Sequence, residues 1–170
     1  LFDGKSLKGW DGDPKFWSVK DGAIVGQTTK ETPTKGNTFL IWKGGEIADF
    51  DLSLEYKIDT GNSGIQYRSF IKPGKQDGWR ISGYQADLES GDRFSGICYG
   101  EGFRGILSMR GMKTTLSTDS KGKLKKDEKQ FGDSAEIGNK INKGDWNKYR
   151  ITAKGYHFNQ YINGVKTTEL

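Results

Sequence analysis

Between Asp49 and Asp59 the chain reads DFDLSLEYKID, in which Phe50, Leu52, Leu54, Tyr56 and Ile58 alternate with Asp51, Ser53, Glu55, Lys57 and Asp59. A period of two places successive side chains on opposite faces of a strand, so this stretch predicts one buried face and one wet face. FWSVKDGAIVGQ sets two apolar-rich runs around Asp21-Gly22, a dipeptide suited to a two-residue turn with positive φ, and predicts a hairpin. Asn163-Gly164 makes the same prediction between FNQYI and VKTTEL. Further strands are expected at TFLIW, GIQYRSF, WRISGYQADLE, FSGICYG, RGILSMR and WNKYRITAKG. Helical signals are confined to DSAEIGNKINKG, where Ser134 caps a short helix, Ile137 and Ile141 sit four residues apart, and Gly144 ends it. Many short strands divided by turn signals predict an all-β, antiparallel two-sheet sandwich with one short helix, and a length of 170 residues fits a single such domain over 1–170.

Composition sharpens this picture in two places. Hydrophobic residues are only 32% of the chain while aromatics are 12%, so the core must rely on Trp, Tyr and Phe. The net charge of +5 is concentrated at Lys121, Lys123, Lys125, Lys126 and Lys129, interrupted by Asp127 and Glu128. With no aromatic residue interleaved to stack on bases, this run reads as a solvated surface excursion between strands, and no nucleic-acid partner is expected. A single cysteine, Cys98, excludes an intrachain disulfide and a cysteine-based zinc cluster. No run of about 18 apolar residues is present, so no membrane span is expected. The sequence opens on LFDGKSLKGW without the basic and apolar segments of a leader, which places any signal peptide ahead of the first residue.

The candidate chemistry lies on strands. In GYQADLES, Gln85, Asp87 and Glu89 share one face and Tyr84, Ala86 and Leu88 the other. A polar row of this kind either meets solvent or lines the hollow side of a curved sheet, where Asp, Gln and Arg can hydrogen-bond a sugar. Arg68, in GIQYRS, belongs to a strand expected nearby. GICYGEGFRGILSMRG adds Tyr99, Glu101, Arg104 and Arg110, with ion pairing of Glu101 to either arginine as the purely structural alternative. His157 shares its strand face with Asn159 and Tyr161, and Trp79 follows the loop KPGKQDG, where an aromatic ring can be offered to a ligand. His157 is the sole histidine, so a multi-histidine zinc site cannot exist and a triad would have to spend it, while GxSxG, HExxH and a phosphate loop are all absent.

Five ordered blocks, LFDGKSLKGW, GNSGIQYRS, GYQADLE, YGEGFRGILSMRG and DWNKYRITAKGYHFNQYINGV, resemble the 3-keto-disaccharide hydrolase domain family, also called DUF1080. The resemblance implies a concanavalin A-like jelly-roll sandwich in exported bacterial proteins, secreted or periplasmic, acting on glycosides already oxidised at C3 of the sugar. It casts His157 or Asp87 as base, Glu101 as the group assisting departure, and Arg68 or a bound divalent metal ion at the developing enolate oxygen. Gln85, Glu89, Tyr99, Arg104, Arg110 and Trp79 are then expected to bind the glycan substrate. A metal would have to draw on oxygens of Asp87, Glu89 or Gln85 with at most one histidine. Related sequences read GYE where this chain has Gly83-Tyr84-Gln85, which shifts the expected carboxylate to Asp87. They also continue past the last hairpin, so the sandwich is expected to lack the family's final strands. The competing expectation is a non-catalytic carbohydrate-binding module of the same fold.

Overall fold

A computed structural model describes residues 1–72 and 79–170. The chain divides into two compact units, one formed by Leu1–Glu46 with Phe70–Ser82 and the other by Ile47–Ser69 with Gly83–Leu170. In the first unit, β1 (Trp10–Gly12) pairs antiparallel with β4 (Leu40–Trp42), and β2 (Trp17–Lys20) with β3 (Ala23–Gly26). The β2-β3 turn is the expected one, with φ of 50° at Asp21 and 78° at Gly22.

The second unit is the sandwich. One sheet contains β5 (Phe50–Tyr56), β10 (Met112–Thr118), β11 (Leu124–Gln130), β12 (Asn147–Lys154), β13 (His157–Ile162) and β14 (Val165–Glu169), in the order β11-β10-β14-β13-β12-β5. The other is β6 (Asn62–Ile71), β7 (Ile81–Glu89), β8 (Cys98–Glu101) and β9 (Gly105–Ser108) in sequence order. The all-β jelly-roll sandwich with one short helix expected from the sequence is therefore what forms. One pairing, between β10 and β14, is parallel.

The core lies between these sheets because their alternations meet. Tyr56, Tyr149, Ile151, Ala153, Phe158 and Ile162 come from the six-stranded sheet, and Tyr67, Ala86 and Leu88 from the four-stranded one. Burying each large apolar side chain contributes about 1.5–3 kcal/mol. The aromatic share of that burial matches the composition: Tyr67 lies edge-on to Phe158, with ring centroids 5.3 Å apart, and stacks on Tyr84 at 5.9 Å. One polar chain runs through the core. Tyr149 donates to Gln160 Oε1 at 2.8 Å, Gln160 donates to the Tyr67 hydroxyl at 3.2 Å, and that hydroxyl meets Cys98 Sγ at 3.5 Å. Burial pushes the Cys98 thiol up to about 12, which leaves it an inert packing residue.

Two local expectations need correction. The lysine-rich stretch is not an excursion between strands: residues 124–130 are β11, paired along its length with β10. Its charges alternate across an edge strand, a pattern that keeps such an edge soluble. The short helix α1 (Ser134–Gly138) is capped by Asp133, not Ser134. Asp133 has extended backbone, and its carboxylate accepts from the N–H groups of Ala135 and Glu136 at 2.8 and 2.9 Å.

Candidate functional site

Along β7, Tyr84, Ala86 and Leu88 turn to the core, which sends Gly83, Gln85, Asp87 and Glu89 to the outer face of the four-stranded sheet. Antiparallel register adds their neighbours: Gln85 stands opposite Tyr99 and Gly83 opposite Glu101, so β8 supplies a phenol and a carboxylate to the same face. From β6, Gln66 Nε2 donates to Gln85 Oε1 at 2.9 Å, and Gln85 Nε2 donates to Asp87 Oδ1 at 2.5 Å. Asn62 also hydrogen-bonds Asp87. A Cβ on Gly64 would lie 2.5 Å from Gln85 Cγ, so this glycine leaves the space in which the Gln85 side chain lies.

Despite belonging to an outer face, Asp87 is only 5% exposed and Gln85 8%. That burial raises the Asp87 carboxyl to about 6; the hydrogen bonds from Gln85 and Asn62 oppose the shift, and the neighbouring charges of Glu89 and Glu101 add to it. A carboxylate that is half-ionised near pH 6 and held by an amide relay suits proton transfer near neutrality. Glu89 has different work. Its Oε1 accepts from the backbone N–H groups of both Arg93 and Phe94, closing the loop after β7.

The structure thus brings together Gln85, Asp87, Glu89, Tyr99 and Glu101. The remaining sequence candidates stand elsewhere. Arg68 has φ of 49° inside β6, and its guanidinium reaches Asp49 Oδ1 and the Gly155 carbonyl, both at 3.1 Å, 5.9 Å from the centroid of the core residue Phe158. It is thereby engaged at the β12-β13 turn. Arg110 is buried and donates to the carbonyls of Ser134, Ser95 and Asp92 at 2.7, 2.9 and 2.8 Å, tying the helix to the loop that follows β7. Arg104 is exposed, 5.5 Å from the centroid of Phe103. His157 lies on the six-stranded sheet with Nε2 3.0 Å from Glu169 Oε1. Trp79, in the first unit, donates to Asp11 Oδ1 at 2.8 Å; most of the KPGKQDG loop ahead of it, residues 73–78, lies outside the described residues.

Three residues went unselected in the sequence: Asn62, Gly64 and Gln66. They share one parity in GNSGIQYRS, the signal that could have found them once β6 was set beside β7. A divalent metal fits this donor set poorly, because among the described residues no group of three His, Cys, Asp or Glu side chains is gathered as a cation requires. Among the described residues no helix is long and apolar enough to cross a membrane.

A family model described as a 3-keto-alpha-glucoside-1,2-lyase-like domain matches residues 1–170. The chain belongs to this family. No curated protein matches the chain. Membership in the 3-keto-alpha-glucoside-1,2-lyase-like family places the protein among carbohydrate-active domains.

Proposed function

We propose that the protein cleaves the glycosidic bond of 3-keto-glycosides or 3-keto-disaccharides by base-assisted elimination, with Asp87 as the base. The observation that carries this reading is a buried carboxylate, raised to about 6, on the same sheet face as Glu101 in a chain of the 3-keto-alpha-glucoside-1,2-lyase-like family. A ketone at C3 acidifies the C2 hydrogen. The Asp87 carboxylate takes that proton, and the C2–H electron pair forms the enolate. As the enolate collapses, a C1–C2 double bond forms and the C1–O bond breaks, with its electron pair leaving on the departing oxygen. Glu101 assists departure of the leaving oxygen, which takes its proton from water and leaves as an alcohol. Water added later at C1 would give net hydrolysis. Tyr99, opposite Gln85, is the O–H donor placed for the enolate oxygen, the part earlier given to Arg68. The same reading puts the protein in the periplasm or outside the cell, which fractionation checks.

The test is mass spectrometry of products from a 3-keto-disaccharide and from its unoxidised parent, with wild type and Asp87→Asn. Wild type should release an unsaturated or hydrated 3-keto product from the oxidised sugar alone, and Asp87→Asn should lose about 10²–10⁴ in rate. Turnover of the unoxidised sugar alone would point to two-carboxylate glycoside hydrolysis. Saturable binding of the sugar without turnover would leave a carbohydrate-binding module.

A further inference from the structure

The outer face of the six-stranded sheet carries a different constellation. Lys113 on β10 stands opposite Lys129 on β11 and beside Glu169 on β14. With inter-strand spacings of about 4.8 Å, these three residues cross the sheet within about 10 Å. Lys113 and Lys166 each place Nζ 2.7 Å from a different oxygen of Glu169, whose side chain is only 13% exposed, so one carboxylate holds two ammonium groups in position. Lys129 has no ion-pair partner among the described residues. Phe131 and Tyr161 flank the cluster, with Lys166 Nζ 5.9 Å from each ring centroid. Lys113, Lys129, Phe131, Lys166 and Glu169 line an open hollow of about 390 Å³.

Three ammonium groups around one carboxylate leave the hollow with an excess of positive charge, and a ring that is 43% exposed, Phe131, stands at its side. We infer that this hollow is a second glycan-binding surface, distinct from the face built on Asp87, and that its occupant is a uronate-bearing polysaccharide. The charge complements a row of carboxylates, and the aromatic rings suit the apolar face of a sugar. Family membership favours a sugar acid over a nucleic acid as the source of negative charge.

Affinity gel electrophoresis of the full chain tests this with polygalacturonate, dextran, dextran sulfate and poly-dT embedded in parallel gels. Polygalacturonate should retard the protein and dextran should not, with retardation falling as salt rises. Lys129→Glu removes a charge that holds no internal partner, and should weaken polygalacturonate binding about tenfold. Lys113→Gln lowers the positive excess by one charge and serves as a second variant should the first fold poorly; it too should weaken binding. Retention of Asp87-dependent turnover in Lys129→Glu would show the two surfaces to be separate, whereas parallel loss of turnover would overturn the assignment of a second site. Equal retardation by dextran, stronger binding of dextran sulfate or poly-dT, or unchanged binding by both variants would overturn the uronate assignment.

Discussion

The two outer faces of the sandwich start from the same alternation and end with opposite chemistry. On the four-stranded sheet, the Gln85 amide and the Asp87 carboxyl are both buried and joined by a hydrogen bond, and Gly64 leaves the space in which Gln85 lies. On the six-stranded sheet, Lys113, Lys129 and Arg150 stand out in solvent; Lys113 pairs with Glu169 and Arg150 with Asp51, while Lys129 has no ion-pair partner among the described residues. Burial makes the difference. A carboxylate withdrawn from water has its proton affinity raised and becomes a base near neutrality, whereas exposed ammonium groups keep their charge and serve only as a field for an anion.

The strongest way to break this comparison is Asp87→Asn, which should move rate and stability in opposite directions. Asp87 binds its proton more tightly folded than unfolded, so its ionisation weakens the fold as pH rises from 3.8 to about 6, and the full cost remains above that window. Removing the charge should therefore raise stability at pH 7.5 by at most about 3 kcal/mol, with the gain vanishing below pH about 4, in urea titrations at the two pH values. The rate of elimination by wild type should follow ionisation of Asp87 in the folded protein, half-maximal at about pH 6 and level about one pH unit above it.

Next comes Arg110→Met, which strips three carbonyls of a charged donor behind the acidic face. It should cost about 3 kcal/mol in the same titrations, while leaving polygalacturonate binding in the folded protein unchanged. Gly64→Ala sharpens the comparison by pushing on Gln85 alone. It should lower kcat about 10²-fold by displacing the amide that orients Asp87, with little change in circular dichroism. The smallest effect is expected from Glu169→Gln on the basic face. Lys113 and Lys166 hold the Glu169 carboxyl down at about 2, so its stabilisation is present above 4.5 and lost as pH falls towards 2. Solvent screening limits the loss in the variant at pH 7 to about 1 kcal/mol, and salt should shrink it further.

Much of the fold was legible in the chain. The period-two run at DFDLSLEYKID became β5 with its alternation intact, and Asp21-Gly22 and Asn163-Gly164 both take the positive φ their hairpins need. β10 was not legible because MKTTLST has few apolar residues, and its pairing with β14 and β11 is decided by long-range contacts. For the site, alternation alone put Gln85, Asp87 and Glu89 on one face, and register with β8 brought Tyr99 and Glu101 to them. His157 and Arg68 do not join that group, for separate reasons. A histidine on a polar strand face can belong to either sheet, and a positive φ at Arg68 redirects a side chain whose neighbours follow strict alternation.

What the sequence determined by itself is therefore the class of element, the sidedness of each strand and the places where the chain turns, since these follow from local spacing and backbone preference. What only the tertiary structure decided is which polar face loses its water. Solvation depends on neighbours tens of residues away, and it is burial, absent from any single strand, that turns Asp87 into a base and leaves Lys129 a solvated charge.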